Sequence, residues 1–157
     1  MTLRRAFLDT TYGPRHERFR LSPTPPAPGQ GPSWVWPGQR WALITAWNPG
    51  GLRQPPAVNH TAQARLQAAT RAWPQQPAVN GHGEWAEPAL LLLGLPLPEA
   101  LRLGRAFGQA AVLFGTGLRV ALVWLPTGAE GDHGERPWAE RYWAVTTPPT
   151  SPGACIL

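Results

Sequence analysis

Residues 41–47, WALITAW, are apolar or β-branched, and the run stops abruptly at Asn48-Pro49-Gly50-Gly51 before a helical pattern opens near Val58-Asn59. A buried strand that ends in turn-forming polar residues and feeds a helix puts those residues where α/β domains place ligands. The segment marks where to look for a site but names no chemistry. The chain holds no Ser-centred nucleophile elbow, no P-loop and no dinucleotide-binding GxGxxG.

Around that segment the pattern predicts two helices and several strands. Val58, Ala62, Leu66, Ala69 and Trp73 recur at spacings of three and four, the apolar stripe of a helix over residues 58–73. Pro55-Pro56 precede that helix and Pro74 stops it. Residues 89–93 are continuously apolar, the mark of a strand buried on both faces. Pro98-Glu99 opens a second helix with Leu97, Ala100, Leu101, Gly104 and Phe107 inward, closed by Gly108. Residues 110–114 and 118–124 read as strands joined by Gly115-Thr116-Gly117, and 141–147 as an edge strand. A short strand near residues 78–80 completes a β-α-β-β-α-β order. Upstream, Ala6-Phe7-Leu8 and Phe19-Arg20-Leu21 predict an N-terminal hairpin around Gly13-Pro14. Residues 22–38, with six Pro and three Gly, read as a connector in which Trp34 and Trp36 dock on the body.

These elements predict one α+β domain: a mixed β-sheet covered by two helices, with a split-βαβ (ferredoxin-like) arrangement as one topology that satisfies the order. Its core spans residues 41–125, and residues 126–157 form a polar, acidic extension.

Composition narrows the function classes only slightly. All 14 basic residues are Arg, which suits phosphate or nucleic acid and follows equally from GC-rich codon usage. Charge is uneven: residues 1–40 set six Arg against Asp9 and Glu17, whereas 126–157 set Arg136 and Arg141 against Glu130, Asp132, Glu135 and Glu140. Cys155 is the only cysteine, which excludes an intrachain disulfide, and it stands third from the end, outside a prenylation box. No signal-peptide pattern opens the chain, and its longest apolar stretch, 89–95, is too short for a bilayer. The expectation is a soluble, cytoplasmic protein with no membrane partner.

Several blocks together carry a resemblance. ITAWNPG at 44–50, Asn59 at the next helix, EWAEPALLLLGL at 84–95 and LGRAFGQAAVLF at 103–114 resemble a small bacterial family known as a domain of unknown function, DUF 3293. The resemblance covers roughly residues 41–115, with a looser match at the N-terminal hairpin. It implies a shared fold and surface and carries no activity, cofactor or catalytic residue. The Pro/Gly connector and the tail depart from that compact core.

The residues themselves give the candidate site. Asn48 offers a donor and an acceptor at a strand end, and Gly50 lets a backbone approach closely, although Asn-Pro-Gly is also a turn signal in its own right. Asn59 reads as a helix N-cap or as part of an anion site at a helix start, with Gln63 on the same face. Glu84 and Glu87 flank Trp85 and offer acid–base or hard-metal chemistry, or only a solvated loop. Gln109 is polar among apolar neighbours where a helix gives way to a strand. His16, His60, His82 and His133 lack zinc-ligand spacing, Asp132-His133 reads as a surface loop, and no metal or cofactor is expected. Trp41, Trp47, Trp73 and Trp124 fall on core stripes.

Three functions fit. The first is a non-catalytic binding module whose pocket, built from Asn48, Gly50, Asn59, Gln63, Glu87 and Gln109, takes a small anionic or nucleotide-like ligand or a protein partner. The second is a DNA-acting enzyme, glycosylase- or nuclease-like, since Asn48-Pro49-Gly50 is similar to the tripeptide after the first strand of mismatch-type uracil glycosylases; their companion glycine-rich context is missing. The third is a basic nucleic-acid-binding protein using Arg4, Arg5, Arg15 and Arg18.

Overall fold

In a computed structural model, which describes residues 1–126 and 136–148, the strands close on themselves. Helix α1 (Leu3–Leu8) leads into β1 (Tyr12–Gly13), β2 (Phe19–Ser22) and β3 (Arg40–Ile44). Helix α2 (Pro56–Ala69), β4 (Gln75–Asn80), β5 (Glu87–Leu93) and α3 (Leu97–Ala106) follow. The chain then runs through β6 (Ala111–Thr116), β7 (Arg119–Trp124) and β8 (Trp138–Thr146). The barrel order is β1-β2-β8-β7-β6-β3-β5-β4, and every neighbouring pair is antiparallel.

This corrects the α+β expectation. A mixed sheet under two helices, ferredoxin-like or otherwise, is not what forms; the protein is a closed eight-stranded antiparallel barrel. The predicted edge strand near residues 141–147 is the long β8, paired with β7 on one side and β2 on the other. Through β2 and β1 the sheet reaches round to β4, so every strand has a neighbour on both sides. Antiparallel partners so far apart in sequence leave no local signal of that closure.

Two apolar clusters on alternating residues explain the continuous Leu run. Leu91 of β5 joins Trp41, Leu43, Leu113, Leu122, Tyr12 and Phe19 inside the barrel. Leu90 and Leu92 face outward, into a second cluster with Ile44, Val112, Leu66 of α2 and Ala100 and Leu103 of α3. Helices α2 and α3 thus cover one side of the barrel's outer wall, and burial on both faces there needs no parallel sheet. Each such fully buried Leu contributes about 1.5–3 kcal/mol.

The inner cluster closes one end of the barrel. The Trp41 ring lies across Gly115, where a Cβ would stand 2.0 Å from it, and Trp41 Nε1 donates to Gly117 O at 2.9 Å. From the Pro-rich connector, Trp34 packs edge-on against Trp41 with centroids 5.2 Å apart. Trp34 is therefore the anchor expected of it, while Trp36 is 68% exposed.

Three local expectations also change. Residues 6–8 belong to α1, where Thr2 Oγ1 accepts from Arg5 N at 3.2 Å as N-cap, so the N-terminal hairpin consists of β1 and β2 alone. The residue capping α2 is Pro55, and Asn59 lies inside the helix. The face of α2 turned to the barrel carries Asn59, Gln63, Leu66 and Thr70, whereas Val58, assigned to the apolar stripe, is 52% exposed.

The seam between β1 and β4 is short, since β1 has two residues. Arg18 stitches it: its guanidinium donates to Gly13 O, Val79 O, Thr11 O, Thr11 Oγ1 and Gly81 O at 2.6–3.1 Å. Burial, with Arg15 nearby, pulls the Arg18 pKa below its ordinary value, and the five acceptors hold the group in place nonetheless. Lysine has neither the fork nor the number of donors. Arg18→Lys should lower the unfolding free energy by about 2–4 kcal/mol in urea denaturation. A loss below about 0.5 kcal/mol would show that the seam does not need these bonds.

Candidate functional site

At its other end the barrel is open, and what shapes it is the departure of the chain from β3. Thr45 Oγ1 donates to Pro88 O at 2.7 Å and accepts from Trp47 N at 3.0 Å, which turns the backbone off the sheet. Asn48 then adopts φ 46° and ψ 64°, and it is the one non-glycine residue with positive φ among the described residues. Asparagine tolerates this left-handed region better than most residues. A short 3₁₀ turn, Pro49–Gly51, carries the chain on towards α2.

Polar side chains of α2 hold this loop by its backbone. Gln63 Oε1 accepts from Ala46 N at 2.9 Å, and Asn59 Oδ1 accepts from Asn48 N at 2.9 Å. In return Asn59 Nδ2 donates to Asn48 Oδ1 at 2.8 Å, and Gln54 N donates to the same oxygen at 2.9 Å. The opposite end of the amide, Asn48 Nδ2, donates to Glu87 Oε1 at 2.8 Å. A backbone N–H can only donate and an ionised carboxylate can only accept, so the network fixes the orientation of both amides. On the other flank, Gly50 N donates to Gly108 O at 2.8 Å, and Gln109 Nε2 reaches Trp47 O at 3.2 Å and Phe107 O at 3.1 Å.

The six predicted residues are thus brought to one place, but in two layers. Asn59 and Gln63 stand behind the loop and support it, and Gly50, within the loop, ties it to Gly108. Asn48, Glu87 and Gln109 line a cavity of about 660 Å³ at the barrel mouth. Asn48 and Asn59 bond each other directly, which leaves no gap between them for a phosphate or carboxylate. Glu84 sits in the exposed 3₁₀ turn Gly83–Trp85 and is not part of the wall.

Sequence reasoning missed much of the remaining wall. Asn80 pairs directly with Glu87 across β4 and β5 and with Tyr12 across β4 and β1. Its Oδ1 is buried without a hydrogen-bond partner. Helix α1 forms a roof through Leu3, Ala6 and Phe7. The roof is tied down by three contacts: Tyr12 OH donates to Phe7 O at 2.5 Å, Phe7 packs edge-on to Trp124 at 5.3 Å, and Arg4 pairs with Glu140 at 2.6 Å. Arg53 and Trp85 also line the cavity, the guanidinium lying 4.8 Å from the indole centroid. A strand register would have found Asn80; nothing local signals the roof.

Burial pushes the Glu87 carboxyl above the usual carboxylate range, and the hydrogen bond from Asn48 offsets part of that rise. No cation pairs with Glu87 among the described residues. Among them, too, no three His, Cys, Asp or Glu side chains gather in a metal-sized group. Asp132-His133 and Cys155 lie outside the described residues.

The molecule is therefore a small closed β-barrel with a ligand-sized cavity at its mouth, set against a loop that an asparagine network holds. Residues 44–112 match the family model described as "Protein of unknown function (DUF3293)". The match runs from the last residue of β3 into β6 and contains the whole network. No curated protein and no solved structure matches the chain. No helix among the described residues is long and apolar enough to cross a membrane.

Asn59 is 2% exposed, and its truncation leaves Asn48 N without an acceptor and Asn48 Oδ1 without one of its two donors. Asn59→Ala should destabilise the fold by about 2–4 kcal/mol, while Val58→Ala on the neighbouring outward face should stay within about 0.5 kcal/mol. Equal losses in thermal or urea unfolding would contradict the inward polar face of α2.

Proposed function

We propose that this protein is a non-catalytic binding module that holds a small organic ligand in the barrel mouth. The observation that carries the reading is a cavity of about 660 Å³ directly in front of Glu87, a half-buried carboxylate held on one oxygen by Asn48. Ligand pockets typically span about 300–1,000 Å³ and combine apolar walls with a few fixed polar groups. Here Phe7, Tyr12 and Ala111 supply apolar wall, and Asn48, Glu87 and Gln109 supply the polar positions. Asn59, Gln63 and Gly50 act behind them, by keeping the loop in one conformation.

The other readings have less to stand on. The Asn48 side chain is engaged by protein at both ends, its Oδ1 by Asn59 and Gln54 and its Nδ2 by Glu87, so its first role is to hold the loop and Glu87 in place. In the basic N-terminal arm, Arg4 pairs with Glu140, Arg5 with Asp9, and Arg18 is occupied at the barrel seam. Of the four Arg singled out in that arm, this leaves Arg15 without such a partner among the described residues.

Ala6 is exposed on the roof and faces the cavity, so Ala6→Trp should fill the mouth while leaving the core intact. In a thermal-shift screen of nucleosides, amines, organic acids and phosphates, at least one compound class should raise the wild-type midpoint by a few degrees. That shift should vanish in Ala6→Trp. Equal shifts in both proteins, or none in the wild type, would refute the reading.

A further inference from the structure

Glu87 stands on the inner wall of the barrel with its charge uncompensated. Its Oε1 accepts from Asn48 Nδ2 at 2.8 Å, and Oε2 has no hydrogen-bond partner among the described residues. The three ion pairs of the described residues are Arg4–Glu140, Arg5–Asp9 and Arg102–Glu99, so none of them reaches Glu87. Directly across the strand pair, Asn80 Oδ1 is a second acceptor that the protein leaves unmatched. Taking a carboxylate out of water without a cation or full hydrogen bonding is unfavourable. The fold nevertheless holds this one in place with a dedicated amide, which is in turn fixed by Asn59 and Gln54.

The neighbouring walls carry one Arg, Arg53, beside several aromatic rings. Phe7, Tyr12 and Trp85 line the same cavity, and aromatic faces attract cations. The Trp85 ring already takes one planar cation, the Arg53 guanidinium, at 4.8 Å. A carboxylate best satisfies two parallel N–H donors on a planar head, the geometry of an amidinium or a guanidinium. An anion, by contrast, would meet Glu87 head-on.

We infer that the ligand of this cavity is an organic cation with a planar amidinium or guanidinium head on an apolar body, bound through Glu87. This rests on the binding-module reading above and goes further, because it names the chemical class and the residue that recognises it. Asn48 and Asn59 are positioning residues for Glu87 and do not themselves meet the cation.

Three probes with one body and different heads test the class: benzamidine (cation), benzamide (neutral) and benzoate (anion), each titrated calorimetrically into wild type and Glu87→Gln. Glutamine keeps an acceptor for Asn48, and an unchanged near-UV spectrum would confirm that the variant is folded. Benzamidine should bind the wild type, and about ten- to hundred-fold more weakly bind Glu87→Gln. Benzamide and benzoate should bind the wild type more weakly by a similar factor. Benzamide or benzoate binding as well as benzamidine, in a manner lost in Ala6→Trp, would sink the cation class while leaving the cavity reading intact. Benzamidine failing to bind while another compound class occupies the cavity would do the same. Failure of every compound to bind would take both down together.

Discussion

One asparagine side chain accepts from Asn59 and from the backbone of Gln54 and donates to Glu87, while its own backbone N–H is held by Asn59. Those four bonds keep Asn48 in a left-handed conformation that most residues avoid. They also couple a helix, a loop and a strand that are far apart in sequence. The exit path of the chain from β3, the seating of α2 on the barrel wall and the aim of the Glu87 carboxylate are all set there.

The barrel makes that network worth having. Eight strands enclose an interior that side chains can just fill, and Trp41, Phe19 and Trp34 fill it at one end. At the other end Asn80, Glu87 and Tyr12 take the inward positions, and the space opens under a six-residue helix. A rigid frame with one unfilled end, and a carboxylate fixed inside it at a cost in solvation, supports the proposed binding role. Stability given up at Glu87 is consistent with a site shaped for a partner that restores the missing charge.

Much of the site was legible in the sequence, and little of the closure was. Asn48 stood out as a donor and acceptor at a strand end, Glu87 as one of two carboxylates flanking Trp85, and Gln109 as polar among apolar neighbours; each has a hydrogen-bond partner in the fold. Asn59 and Gln63 were found for a different reason from the one that matters: the apolar stripe of α2 was phased on Val58 and Ala62, whereas the buried face is polar because it bonds the loop backbone. Helix periodicity counts apolar side chains and cannot see such a face. Closure was hidden because β1 and β2 pair with β4 and β8, across long stretches of chain. For the same reason Asn80, which meets Glu87 only through register, carried no signal of its own.

The most direct test of this account is the titration of the Glu87 side-chain carboxyl followed by carbon-13 NMR in the wild type and in Asn48→Ala. Burial should place its pKa above the ordinary carboxylate range in the wild type, and losing the Asn48 donor should raise it further in the variant. An ordinary value that does not change on removing Asn48 would mean that Glu87 is neither enclosed by the barrel mouth nor held by the asparagine network.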